Sequence, residues 1–177
     1  GDLVAGGAFM AAGGSTATKI ARWNGTAWSA YGSGLVGGAV RAVTTLPNGD
    51  LLAAGLTNLG GVARRIGTTW SAVGSNAPSG VDTVLGLPSG EIVASNGYDG
   101  VHRFDGSQWS VVAPASWMYW DAPQRLLLTS TGTLLVGGFW RTLAGATTPG
   151  ATVDVSTGEC APVGLSHNGD VFASVTA

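Results

Sequence analysis

Short apolar runs separated by turn residues fill this chain, and their period is two. Val40-Arg41-Ala42-Val43-Thr44-Thr45-Leu46 alternates and is rich in β-branched residues. Pro47-Asn48-Gly49 follows, and Asn-Gly accepts the positive φ of a tight turn. Asp50-Leu51-Leu52-Ala53-Ala54-Gly55 then returns as the partner strand, so the pattern predicts a hairpin. A second kind of hairpin is predicted from Lys19-Ile20-Ala21-Arg22-Trp23, the turn Asn24-Gly25-Thr26, and Ala27-Trp28-Ser29-Ala30-Tyr31. Val101-His102-Arg103-Phe104, Asp105-Gly106-Ser107 and Gln108-Trp109-Ser110-Val111-Val112 repeat it. Arg64-Arg65-Ile66, Gly67-Thr68-Thr69 and Trp70-Ser71-Ala72-Val73 repeat it in worn form. No segment sustains a 3.6-residue apolar period, so no helix is predicted.

The two hairpins alternate with a long period. A Gly-acid-apolar phrase starts at residues 1, 49, 90, 132 and 169, the acid being Thr133 in the fourth copy. Two hairpins per period make four antiparallel strands every ~40–50 residues, the mark of a propeller blade. The predicted fold is therefore all-β: a β-propeller segment of about four repeats forming a single unit over 1–177. Paired glycines, Gly6-Gly7 and Gly137-Gly138, are expected where a strand passes close to its neighbour. Trp28, Trp70 and Trp109 share one repeat position and are expected to pack between blades.

The order of alternating strand, turn, strand ending in Gly-Gly, loop, aromatic-bearing strand, turn and Trp resembles the kelch repeat. It is similar to the kelch-like propellers of bacterial exported proteins and of galactose oxidase. The resemblance implies a propeller and carries no copper-ligating or catalytic residue onto this chain. Trp23 and Phe104 stand five residues before their Trp, where kelch motifs place a Tyr six before. The fourth unit, Ala151 to Val163, has Glu159-Cys160-Ala161 near the Trp place. Phe104-Asp105-Gly106-Ser107-Gln108-Trp109 also resembles a sialidase-type Asp box, without its Ser and its residue between Asp and Gly.

Composition narrows the function. Charged residues make up 10% of the chain and the net charge is −2. Lys19 and seven Arg form no stripe, so no nucleic-acid partner is expected. Arg64-Arg65 reads as a solvated strand edge. Thirty Gly would suit a disordered chain, but 45% hydrophobic content and seven Trp argue for a packed one. With one cysteine, Cys160, no intrachain disulfide can form. No apolar run is long enough for a transmembrane helix. Low Lys with abundant Gly, Thr, Ser and Ala resembles exported bacterial surface proteins, which implies a secreted, periplasmic or cell-surface location.

The chain opens inside a turn and closes on the second strand of a fifth unit. The expectation is a segment of a longer propeller. A permuted four-bladed ring and a homodimer completing a larger ring are the alternatives.

No catalytic, metal or cofactor constellation is predicted. Asp2, Asp50 and Asp170 recur after the turn glycine and read as turn chemistry. His102 and His167 fall in distant units without ligand spacing, and Cys160 has no base at a known spacing. The inner strands Val40–Leu46, Val81–Leu87 and Arg125–Thr129 offer only Arg41, Asp82 and Arg125. Against this background Ala115-Ser116-Trp117-Met118-Tyr119-Trp120-Asp121 stands out, where the first unit has the bland linker Gly32 to Gly38. Linkers and second-to-third-strand loops should emerge on one face, so this segment should neighbour the expected loop Phe139 to Leu143. Trp117, Tyr119, Trp120, Trp140 and Arg141 are the candidate binding residues, since exposed aromatics and Arg anchor protein partners and stack on sugars. Packing of the loops is the competing role. The expected function is a non-catalytic scaffold for a protein partner or a larger assembly. A carbohydrate-binding propeller and a segment of an extracellular enzyme are the alternatives.

Overall fold

The computed structural model describes residues 2–114, 125–143 and 146–163, with backbone alone at 138–143 and 146–149. All regular elements among the described residues are strands, in antiparallel sheets. The first sheet holds β1 (Leu3–Gly6), β4 (Ile20–Trp23) and β5 (Trp28–Ala30). Between β1 and β4 a small hairpin pairs β2 (Ala11–Ala12) with β3 (Ser15–Thr16). The second sheet is β6 (Gly37–Thr45), β7 (Leu51–Thr57), β8 (Gly60–Ile66) and β9 (Thr69–Ala72). The third is β10 (Thr83–Gly86), β11 (Ile92–Asn96), β12 (Gly100–Phe104) and β13 (Trp109–Pro114). The fourth is β14 (Arg125–Leu128), β15 (Leu134–Leu143), β16 (Ala146–Val153) and β17 (Cys160–Pro162). Each four-stranded sheet is a meander in chain order.

The registers superpose across the sheets. Thr45 faces Leu51, Gly86 faces Ile92 and Leu128 faces Leu134 at the first turn of each unit. At the second turn Trp23 faces Trp28, Arg65 faces Trp70, Phe104 faces Trp109 and Val153 faces Cys160. Cys160 thus occupies the tryptophan place of the fourth unit. The first sheet aligns with strands two to four of the others. The β2–β3 hairpin has no counterpart in the pattern; Gly13 and Gly14, at φ 55° and 82°, form its two-residue turn.

Three apolar clusters join successive sheets. Ile20, Leu35, Val40, Leu51, Ala53, Ala63 and Trp70 bind the first sheet to the second. Leu52, Ala54, Val62, Val84, Ile92 and Ala94 bind the second to the third. Val93, Val101, Ala113, Leu134, Val136 and Ala151 bind the third to the fourth. In β7, Leu51 and Ala53 belong to one cluster and Leu52 and Ala54 to the next. A strand covered on both faces has no polar side to show, which is why the run reads as continuously apolar. Burying each such Leu contributes about 1.5–3 kcal/mol.

Close approach sets the glycine positions. Gly55 ends the apolar run at φ 149°, and a Cβ there would run into the Ala39 carbonyl oxygen. A Cβ at Gly6 would overlap Val40 Cγ1 on the next sheet. Among the described residues the sheets stack in sequence and no ring closes. No helix among them is long and apolar enough to cross a membrane.

Candidate functional site

Linkers between sheets and loops between second and third strands share one edge of the stack. Hydrogen bonds fasten them together. In the first linker, Leu35 N–H donates to the Thr18 carbonyl at 3.0 Å, and Val36 N–H to Asn58 Oδ1 at 3.2 Å. Asn58 N–H returns a bond to the Val36 carbonyl at 2.8 Å. In the next unit Asn96 Nδ2 donates to the Ser79 carbonyl at 2.6 Å, while Asn96 Oδ1 accepts from the Tyr98 and Asp99 amides at 2.9 and 2.6 Å. Asn96 is fully buried, so these bonds satisfy a side chain that would otherwise be costly to bury.

This edge carries four exposed large apolar side chains. Met10 and Val36 are each 61% exposed, Leu56 is 47% and Tyr98 is 74%. They follow one another from unit to unit. Leu56 lies between the linkers, near Gly38 on one side and Gly80 on the other. The glycine-rich first linker is less bland than its composition: Leu35 is buried in the core while Val36 points out.

Of the candidates read from sequence, Trp117, Tyr119 and Trp120 lie outside the described residues. Trp140 and Arg141 lie within β15, with Trp140 opposite Thr148. The segment Phe139 to Leu143, expected as a loop, is therefore strand. Two register shifts, at Gly137/Trp140 and Trp140/Leu143, let β15 continue past the glycine pair. Phe9, at the matching place of the first unit, folds its ring toward Gly7, where a Cβ would sit 2.9 Å from Phe9 Cδ1.

The opposite edge gathers the other hairpin turns, whose polar side chains bond among themselves, beside Leu3 and Ile66, which are 58% and 59% exposed. Asn24, Asp105 and Asp154 each accept two backbone amides and one hydroxyl. The Gln108 and Ser107 amides, with the Ser107 hydroxyl, hold the Asp105 carboxyl down at about 2. The Ser156 hydroxyl and the Ser156 and Thr157 amides lower Asp154 likewise.

The acids after the turn glycines do more than shape turns. Asp50 pairs with Arg64 at 2.6 Å and Asp2 with Arg22 at 2.6 Å. Glu91 pairs with Arg103, which holds the Glu91 carboxyl below its usual value. The fourth unit has Thr133 and Thr152 at these two places, so acid and Arg disappear together. Arg64-Arg65 is accordingly no solvated edge. β8 is an inner strand of its sheet, and Arg65 lies 4.0 Å above the Tyr31 ring of the preceding unit. Arg41 on β6 and Asp82, just before β10 at the same repeat position, pair at 2.6 Å.

Remaining titratable groups are scattered. His102 is half-buried, burial lowers its pKa, and its Nε2 has no partner. Burial raises the Cys160 thiol. His167 and Asp170 lie outside the described residues. No group of three or more His, Cys, Asp or Glu able to hold a metal ion occurs among the described residues. No family model, curated protein or solved structure matches the chain.

Proposed function

We propose that this chain is a segment of a β-propeller that scaffolds a protein partner through its linker edge and carries out no chemistry itself. The observation that carries this reading is the strip Met10, Val36, Leu56 and Tyr98, exposed on the edge where the linkers and loops are bonded together. Val36 and Leu56 lie side by side, with Met10 and Tyr98 on loops of the flanking units, and several large apolar side chains exposed on one edge mark an interaction surface more often than a single one does. The carboxylates support it from the other side. Asp2, Asp50, Asp82 and Glu91 are held by arginines, Asp99 by Asn96, and Asp105 and Asp154 by turn amides. Each is committed to holding the fold. Superposed four-stranded meanders stacked face to face, with a kelch-like order, support the propeller reading. The composition supports an exported or surface-exposed bacterial setting.

A photo-crosslinking residue at position 98 tests this in the source cell, with exposed position 47, in a hairpin turn on the opposite edge, as control. A defined protein adduct from position 98 alone is expected. Adducts from both positions alike, or none, would overturn the reading. The Tyr98 ring, at 74% exposure, also suits stacking on a sugar. A glycan array on which binding vanishes with Tyr98→Ala would select a carbohydrate ligand instead.

A further inference from the structure

One imidazole stands where the other units have a methyl group. The place opposite the third residue of the second strand holds Ala21, Ala63 and Ala151 in the first, second and fourth units, all fully buried. In the third unit it holds His102, opposite Ala94. Ala94 belongs to the apolar cluster between the second and third sheets, with Ala54, Val62, Val73 and Val81, so the ring shares that gap. Its Nε2 is buried there without a hydrogen-bond partner. Its polar neighbour is the loop before its strand: the ring hydrogen-bonds the Asp99 backbone, and the Asp99 carboxylate acts on it through space. Asp99 belongs to the turn that presents Tyr98. Asn96 holds this turn, with Oδ1 on the Tyr98 and Asp99 amides and Nδ2 donating to the Asp99 carboxylate at 3.1 Å.

We infer that His102 is a proton-operated latch: neutral, it holds the loop that presents Tyr98, and protonated, it frees that loop and weakens recognition at the linker edge. The recognition part rests on the linker-edge reading; the release of the loop does not. A neutral imidazole leaves one bare nitrogen in the gap, whereas an imidazolium brings a charge and two N–H donors to satisfy. The gap offers them nothing. Ala94 and Val111 flank the ring on β11 and β13. Arg64, opposite Leu52 on the same gap, is paired with Asp50, and Arg41 is paired with Asp82. Glu91 pairs with Arg103, which lies opposite Val93 on the far face of the sheet. Asp105 is held by its turn amides at the other end of β12. That leaves Asp99. Burial depresses the pKa of the imidazole, and the Asp99 charge opposes this with less effect. On protonation the ring must turn out of the gap toward the Asp99 carboxylate. It then competes with Asn96 for that carboxylate and gives up its bond to the Asp99 backbone, so the turn loses two of its fastenings.

Hydrogen exchange of the full chain between about pH 7.5 and about pH 5, corrected for intrinsic exchange, tests the latch. Protection at the Tyr98 and Asp99 amides should fall about tenfold or more, with the midpoint of the His102 ring titration. The Asn58 amide, in the second unit's loop, should keep its protection, because Ala63 holds the histidine place there. His102→Ala, the residue of the other three units, should abolish the response. His102→Gln repeats the test if the alanine variant misfolds. A wild-type loop that ignores pH overturns the inference. So does a fall with a different midpoint, one that persists in the variants, or one that Asn58 shares. Crosslinking from position 98 should weaken over the same range in the wild type and not in His102→Ala. Adducts that ignore pH while the loop responds would overturn the control of recognition. Absence of adducts at every pH would overturn the linker-edge reading, and the exchange result would still decide the latch.

Discussion

The indole Nε1 of Trp109 donates to the Val73 carbonyl at 2.7 Å, across the gap between the second and third sheets. Trp70 Nε1 makes the same bond to the Tyr31 carbonyl at 3.2 Å, across the preceding gap. In both cases the acceptor lies three residues beyond the earlier unit's tryptophan. Each tryptophan thus fills its own sheet interface and ties its edge strand to the backbone before it. In the fourth unit Cys160 replaces the ring and has no such reach. There the turn closes the gap instead: a Cβ on Gly158 would stand 3.0 Å from the Val112 carbonyl oxygen, the third acceptor of the series.

Trp109→Phe keeps the ring packing and removes the donor. It should cost about 1 kcal/mol in urea unfolding, the net worth of one hydrogen bond plus part of a desolvated carbonyl. Trp28→Phe, whose indole makes no such bond among the described residues, should cost less. Equal losses at both positions would show that the bond contributes nothing.

Gly55→Ala should be severe. The residue sits at positive φ and its Cβ would meet backbone rather than a movable side chain. A loss of about 2 kcal/mol or more is expected, against a small change for Gly49→Ala, which meets open space. Thermal unfolding of the two variants side by side checks the contrast.

Asp105→Asn should preserve its turn, because Asn24 builds the same turn in the first unit with the same three bonds. Asp105→Ala should fray it. In the wild type the Asp105 carboxyl should titrate near 2, and NMR of the side-chain carbon reads this directly. Since the folded value lies below the unfolded one, the stabilising contribution is complete above about pH 4 and is lost as pH falls toward 2.

His102 should titrate below 6.5, because burial disfavours the imidazolium. The unfolded chain then binds the proton more readily, so stability should fall as pH drops below 6.5. His102→Gln should flatten that part of the profile. A midpoint above 6.5 in the ring-proton titration would contradict the burial.

Much of this architecture was legible because the repeat reports the same position several times. Trp70 and Trp109 in register marked the packing place between sheets, whereas Trp28 at the same repeat position lies against Gly13 of the β2–β3 hairpin, and Asn-Gly and Asp-Gly turns located the hairpins. The acid–arginine pairing was present in the same rows: Gly-acid on the second strand, Arg22, Arg64 and Arg103 on the third, and both lost in the fourth unit. Reading the acids alone, as turn residues, hid it. The β2–β3 hairpin was not legible, since Ala11-Ala12-Gly13-Gly14-Ser15-Thr16 has neither β-branched apolar residues nor alternation. Nor was the exposed strip. Val36 and Leu35 are adjacent and chemically alike, and it is the linker's bonds to Thr18 and Asn58, distant in sequence, that fix which one turns inward.

Hydrogen exchange at the tryptophan indole N–H groups tests the stacked-sheet account most directly. Trp70 and Trp109 should exchange slowly, protected by the Tyr31 and Val73 carbonyls, and Trp28 should exchange fast. Comparable fast exchange at all three would mean that the sheets are not joined in this way.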